Sequence, residues 1–474
     1  MKNQFFSQLA LLYFIISLFL LSGCQPKKEN NNITKTLDEY LSGQANHFRF
    51  NGNVLVADKG EIIFQKSYGF ANFDTKRMLN DSSVFELASV SKQFTATAIL
   101  LLKDMGKLQL TDSLRKYFPE LPYNGVTLYH MLTHTSGLPD YERAMNEKWD
   151  NSKIAFNKDM IAFLAKEKLP ASFAPSTKWE YSNTAYAILA SIVEQISGQT
   201  FSEFMAQNIF QPLQMNHTRI YNTRRSLKDT IQNYAYGFVY NDSLKTYQLP
   251  DSVAELKFVY YLDGIQGDGI VNSTTADLLK WDRAVKNHTL LKEETQKEML
   301  KEQSLADTLN KRYYGFGVGM GKSELGYVIA HSGGWPGYTT YLGRNVDKDQ
   351  TYIVLSNNNA NSPAIAETLQ HILNGKPVVM PYVHKEISMD STSLQQFAGK
   401  YKEKSELTIE RMGNKLFRTY PGGYKIELKP ESANKFYYDD GSDRQIEFEW
   451  DANKNVIKAW VINYGIKTAF SKLK

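Results

Sequence analysis

Hydrophobic positions change their period several times along the chain, and the changes divide it. Leu37, Tyr40 and Leu41 fall on one side of a short helix predicted from Thr36 to about His47. From Asn53 to Phe70 the pattern is that of a strand hairpin. Val54 and Val56 alternate with other residues, Asp58-Lys59-Gly60 supplies the turn, and Ile62, Ile63 and Phe64 return. Phe94, Ala98, Leu101, Leu102 and Met105 then predict a helix with a broad apolar surface, stopped by Gly106. Such a helix belongs in the middle of a domain. From about 107 to 230 the chain reads as helices and loops. Val126 to Leu132 is a short helix, and His134-Thr135-Ser136-Gly137-Leu138-Pro139 is a turn. Ala185, Ile188, Leu189, Ile192, Val193 and Ile196 form a stripe closed by Gly198. Thr200 and Glu203 make a capping box that opens a helix ending near Pro212.

After Gly264–Gly269 (GIQGDG), expected to be tight backbone packing and not a phosphate loop, Thr274 to Val285 predicts another helix. Strand patterns return at Tyr314–Val318, Tyr327–His331, Thr339–Leu342 and Tyr352–Leu355, followed by a helix from Ala364 to Leu373. Strands at both ends of a region with helices between them predict an α+β fold over residues 36–375. This is an α/β sandwich: an antiparallel sheet flanked by helices, with a helical domain inserted at about 107–260. A linker is expected over 376–393. Residues 394–474 differ in character. Leu407–Ile409, Tyr424–Leu428, Lys435–Tyr438, Gln445–Trp450, Val456–Ile462 and Lys467–Phe470 are short strands separated by Gly, Asn and Asp turns. They predict a C-terminal all-β domain, a small closed or half-closed barrel.

The first residues are set apart from the fold. Lys2 supplies a positive start and Leu9 to Leu21 an apolar run of signal-peptide length, ending in Leu21-Ser22-Gly23-Cys24. Small residues before a cysteine here resemble the lipobox of bacterial lipoproteins. The resemblance implies a signal peptide over 1–23, lipid on Cys24, and a lipid bilayer as partner. Gln25 in place of Asp favours the outer membrane, by analogy with Gram-negative sorting. Residues 24–35 are polar and are expected to be a flexible tether. Cys24 is the only cysteine, so the exported domain carries no disulfide and no thiol chemistry. Its stability must come from its core, for which 42% hydrophobic and 22% charged residues are an ordinary provision. A net charge of +5 over 474 residues is too dilute to argue for a nucleic-acid partner.

Three short motifs carry candidate chemistry. Ser89-Val90-Ser91-Lys92 opens the apolar helix, and a Ser and a Lys three apart share one helical face. The spacing alone is weak, since S-x-x-K recurs, for example at Ser113–Lys116 and Ser432–Lys435. Tyr181-Ser182-Asn183 opens the striped helix, and His331-Ser332-Gly333-Gly334 ends a predicted strand; no other Y-x-N or H-x-G occurs. In this order the motifs resemble the serine β-lactamase and penicillin-recognising hydrolase family, in its class C β-lactamase, DD-peptidase and esterase branch. Met131–Pro139 (MLTHTSGLP) and Pro212-Leu213-Gln214-Met215 add to the resemblance, which covers about residues 36–375.

The resemblance implies a β-lactamase/transpeptidase-like fold and a serine hydrolase with no cofactor and no metal. Its substrate would be a small molecule or peptide offering an amide or ester carbonyl. Ser89 would be the nucleophile and its N–H, with that of Gly334, an oxyanion hole. Lys92 and Tyr181 are both candidate bases. Lys92 as an ammonium could hold Tyr181 as a phenolate, or burial could leave Lys92 neutral and able to take the Ser89 proton. Asn183, His331, Ser332, Gly333 and Gly334 would bind substrate, while His134 would hold its loop. Many β-lactamases have K-T-G where this chain has H-S-G, and His331 is no fixed cation. A D-amino acid peptidase or esterase is therefore expected before a class C-like β-lactamase. The rival from another class is a non-catalytic sensor of cell-wall fragments on the same fold.

Overall fold

The computed structural model describes residues 28–222 and 231–473. The leader and Cys24 lie outside the described residues. In chain order the elements that frame the fold begin with α1 (Lys28–His47), β1 (Gly52–Asp58) and β2 (Glu61–Tyr68). Then come α2 (Lys92–Asp104), α3 (Tyr141–Lys148), α4 (Asn183–Ser197) and α5 (Thr275–Lys286). A run of strands follows: β3 (Ser304–Asp307), β4 (Arg312–Tyr314), β5 (Gly319–Ser323), β6 (Gly326–Trp335), β7 (Tyr338–Asn345) and β8 (Gln350–Ser356). α6 (Ser362–Leu373) closes this part of the chain.

The eight strands form one sheet in the order β3-β4-β5-β6-β7-β8-β1-β2, antiparallel throughout. Its two central strands are covered on both faces, because their residues alternate between two cores. Val54 and Val56 of β1, with Tyr352 and Val354 of β8, pack on Leu37, Tyr40 and Leu41 of α1 and on Ile365 and Leu369 of α6. Leu55, Ala57, Ile353 and Leu355 point the other way, into the large core shared with α2, α4 and α5. A strand buried on both faces needs an apolar residue at every position, not at every second one, which is the pattern Val54-Leu55-Val56-Ala57 provides. α2 sits in the middle of that core, as its all-round apolar surface predicts; Phe94 through Leu102 are all buried.

Three expectations are corrected. The first helix begins at Lys28, inside the segment expected to be a tether. Its polar first turns need no core to be helical: Thr36 Oγ1 donates to Asn32 O at 2.9 Å, and Lys35 and Glu39 pair one turn apart. Tyr314–Val318 is not one strand. β4 ends at Tyr314, and the Gly315 N–H donates to Val318 O in a tight turn. Gly317 there has φ +74°, and a Cβ on it would lie 2.6 Å from Lys92 O, so the turn is pressed onto the start of α2. The C-terminal domain has eight strands, not six, and they close into a barrel. The strands beyond those predicted are Gly399–Lys402 and Lys415–Thr419, which are short and carry few apolar residues. No helix or strand lies between Leu373 and Ser391, where the linker is expected.

The barrel interior is filled by side chains, among them Phe397, Tyr401, Leu416, Phe436, Ile446 and Phe448. The barrel is tied to the catalytic part by buried hydrogen bonds. Tyr40 OH and Thr368 Oγ1 both donate to Tyr464 O, at 3.0 and 2.6 Å, and Gln44 Nε2 donates to Asp443 Oδ2 at 2.7 Å.

Candidate active site

The site is assembled where the start of α2, the start of α4 and the free edge of β6 meet. The chain reaches α2 through a sharp turn. Phe85–Glu86 pairs with Val271–Ser273, and the Leu87 N–H donates to Val271 O. Ala88 then takes a left-handed φ of +48°, a conformation that costs an L-residue about 1–2 kcal/mol and that the surrounding packing must hold. A 3₁₀ turn, Ala88–Ser91, leads into α2. Ser91 Oγ is drawn inward and accepts from Val271 N at 3.1 Å, while Ser89 stays partly exposed. The Ser89 N–H lies in the first turn, where helix geometry offers no intrahelical acceptor.

Lys92 is fully buried in the first turn of α2. Its Nζ lies 3.1 Å from Ser89 Oγ, 2.7 Å from Asn183 Oδ1 and 2.7 Å from Asp268 O. The Tyr181 ring stands over it, 4.8 Å from Nζ to centroid. A buried amine is tolerated only when every hydrogen-bonding direction is met, and these three oxygens meet them.

Asn183 and Tyr181 owe their positions to the turn that follows Leu132. His134 is buried with φ +58°, and its Nδ1 accepts the Ser182 N–H at 3.0 Å. Its ring packs on Tyr181 with centroids 4.4 Å apart. Burial, then the Lys92 charge, hold it well below the usual histidine range, so it stays neutral and able to accept. Ser182 caps α4 by accepting from Ala185 N at 3.1 Å.

The third wall is β6. Its pairing with β5 ends at Ala330, whereas its pairing with β7 runs on to Trp335. From His331 to Trp335 one edge of the strand is therefore free. Gly333 lets this edge reach the Ser89 turn: a Cβ there would lie 2.1 Å from Leu87 O. Gly334 is exposed, and a Cβ on it would meet nothing within 4 Å.

His331 departs from the expectation of a substrate-binding residue. It is buried; Nδ1 donates to its neighbour's carbonyl, Ser332 O, at 2.6 Å, and Nε2 accepts from Tyr314 OH at 2.9 Å. Both ring nitrogens are thus used inside the protein. Burial and then the nearby Lys92 charge push it down to about 4, so it is neutral.

Two acidic residues not singled out in the sequence complete the site. Asn183 Nδ2 donates to Glu142 Oε1 at 2.8 Å, and Tyr141 OH donates to the buried Asp268 Oδ2 at 2.8 Å. Burial, with Asp268 and Asp140 nearby, pushes Glu142 up to about 7, and burial raises Asp268 as well. Asp268 stands in the glycine stretch, so that stretch does more than pack: its backbone binds Lys92. The cleft among Ser89, Glu142, Asn183, Asp268 and Gly334 is small, about 90 Å³. The S-x-x-K pairs at Ser113 and Ser432 lie elsewhere and are used locally. Ser113 caps a helix by accepting from Lys116 N, and Ser432 accepts from Lys435 N.

A half-exposed serine against a buried lysine, beside a strand edge with free backbone donors, can support acyl transfer. The chain belongs to the beta-lactamase family, whose model, described as Beta-lactamase, matches residues 38–374. It is a serine hydrolase of the penicillin-recognising group within that family. Among its relatives, penicillin-binding protein 4* of Bacillus subtilis (strain 168) is 37% identical over 447 residues, 92% of this chain and 97% of its own. The octameric penicillin-binding protein homologue from Pyrococcus abyssi shares the fold with TM-score 0.65 at 23% identity, over 92% of this chain and 99% of its own. The D-amino acid amidase from Ochrobactrum anthropi SV3 shares it with TM-score 0.60 at 23% identity, over 73% of this chain and 98% of its own.

Proposed function

We propose that Ser89 is the nucleophile of this hydrolase, that its substrate is the amide or ester carbonyl of a D-amino acid peptide or ester, and that β-lactams are poor substrates. The observation that carries the reading is the 3.1 Å contact between Lys92 Nζ and Ser89 Oγ. Two N–H groups of Lys92 go to Asn183 Oδ1 and Asp268 O, which turns the remaining position of Nζ to the Ser89 hydroxyl. Ser89 Oγ attacks the carbonyl carbon and its proton passes to Lys92 Nζ. The carbonyl oxygen takes the developing charge against the N–H groups of Ser89 and Gly334; one such donor is worth about 2.7–4 kcal/mol. Tyr181 delivers a proton to the leaving nitrogen or oxygen and is reprotonated from Lys92. Water then attacks the acyl ester, gives up its proton along the same path, and restores the Ser89 hydroxyl.

The preference for peptides follows from charge. Neutral His331 offers no fixed cation to a β-lactam carboxylate, and among the described residues no Arg and no Lys besides Lys92 reaches the cleft. Glu142 instead gives the cleft an acid, suited to an uncharged amide or an ammonium group. The Bacillus subtilis relative is named a penicillin-binding protein, which supports the binding of penicillin at this site. We also propose that the chain is anchored to a bacterial membrane through lipid on Cys24, on the pattern of its first 24 residues. Among the described residues no helix is long and apolar enough to cross a membrane. The test is covalent labelling: a fluorophosphonate and a fluorescent penicillin should each label the protein, with the adduct mass on the Ser89 peptide. Labelling that survives in Ser89→Ala would overturn the assignment.

A further inference from the structure

Gly334 borders two cavities. One is the cleft of about 90 Å³ beside Ser89; the other is a groove of about 590 Å³ that runs from Ser332 and Gly334 to the C-terminal barrel. The far wall of the groove is built by the barrel, from Ser442, Arg444 and Asn463. A cavity of this size at a junction between domains falls in the range of ligand sites, and it holds far more than the cleft alone. Its wall is fixed. The hydrogen bonds of Tyr40, Thr368 and Gln44 to the barrel hold Asp443 and Tyr464 against the catalytic domain. Arg444 is immobilised: Nε donates to Ser442 Oγ at 3.0 Å, Nη1 donates to Tyr420 OH at 2.9 Å, and the guanidinium pairs with Asp440. The groove therefore presents hydroxyls and amides with its charges already paired. That chemistry suits the repeated N–H and C=O groups of a peptide better than an apolar or strongly charged ligand.

We propose that the barrel is the distal wall of an extended substrate site, so that the enzyme acts on peptides several residues long, with one arm beyond the scissile carbonyl lying between β6 and the barrel. The proposal rests on the reading of Ser89 as the nucleophile.

The experiment uses the full chain and peptides that share one scissile D-residue amide, lengthened one residue at a time at either end. In the unaltered protein kcat/KM should rise at least tenfold over the first few residues added at one end. Asn463→Trp, which fills the groove, should cut that gain at least fivefold, and Asn463→Ala should change it less. Fluorophosphonate labelling of Ser89 is followed in parallel. A protein that labels at Ser89 but gains nothing from length overturns the extended site and leaves the nucleophile in place. A protein that does not label there overturns the reading beneath it. If Asn463→Trp lowers short and long substrates alike, the groove is domain packing and the proposal fails.

Discussion

Lys92 Nζ approaches Ser89 Oγ to 3.1 Å, whereas the Tyr181 hydroxyl makes no hydrogen bond among the described residues. On the proposed mechanism the proton on Ser89 passes to the lysine, the nearer of the two candidate bases by contact. The two candidate bases separate by leaving group. Lys92→Ala should lower acylation by roughly 10²–10⁴-fold for every substrate, the range for a lost general base. Tyr181→Phe should do most harm where the leaving group needs a proton. Its kcat/KM should fall at least tenfold further for an anilide than for a nitrophenyl ester of the same acyl group. Equal losses on both substrates would return the role of base to Tyr181.

Glu142 makes stability depend on pH in a direction that can be worked out. Its folded value is about 7, against 4.5 for an ordinary glutamate, so the folded state holds the extra proton between those values. The stability it contributes is complete below about pH 4.5 and is lost as pH rises through 7. The full shift would be on the order of 3 kcal/mol, and partial exposure reduces the expected loss to about 2 kcal/mol. Glu142→Gln keeps an acceptor for Asn183 Nδ2 and removes the titration. Urea unfolding at pH 5 and pH 8 should show the wild type losing more stability than the variant across this interval. A wild type that gains relative to the variant as pH rises would show that the carboxyl is held ionised.

His331 should behave as a scaffold residue. His331→Phe leaves the buried Tyr314 hydroxyl without its acceptor and the more exposed Ser332 O without its donor. One such loss costs about 1–3 kcal/mol. The urea midpoint should fall accordingly, while the folded fraction still labels at Ser89. Loss of labelling without loss of stability would place His331 against the substrate after all.

The parts of the molecule that were legible in the sequence are those fixed by local pattern. α2, α4 and α6 follow from apolar spacing and their caps, and the hairpin of β1 and β2 from its turn. Ser89, Lys92, Tyr181 and Asn183 were found because order along the chain constrains three motifs at once. Asp268 and Glu142 were not. Their part in the site comes from contacts that span 176 residues, Lys92 to Asp268, and 41 residues, Asn183 to Glu142, and no periodicity reports such contacts. The misread turn at Gly315–Val318 has a similar cause. Tyr, Phe and Val there suit a strand, but close contact with Lys92 O at Gly317 breaks it. The groove shared with the barrel was equally hidden, since its walls lie about a hundred residues apart in the chain.

Gly333 joins the strand edge to the nucleophile turn, and a single methyl group tests that junction. Its added Cβ would lie 2.1 Å from Leu87 O and 2.2 Å from Thr340 Oγ1, and Thr340 Oγ1 already donates to the same Leu87 carbonyl at 2.6 Å. Leu87 O belongs to the backbone and Thr340 Oγ1 to a buried side chain in a paired strand, so neither can step aside cheaply. Overpacking of this kind costs about 1–3 kcal/mol. It should also move β6 away from the Ala88–Ser91 turn, and with it the Gly334 N–H away from the Ser89 N–H. Losing one oxyanion donor costs roughly 10²–10³ in kcat. Gly334→Ala is the matched comparison, because its Cβ meets nothing within 4 Å. Gly333→Ala should therefore lower both the urea midpoint and the acylation rate, and Gly334→Ala should leave the midpoint where it was. If the two variants unfold at the same urea concentration, the close approach of β6 to Leu87 is not what holds the site together.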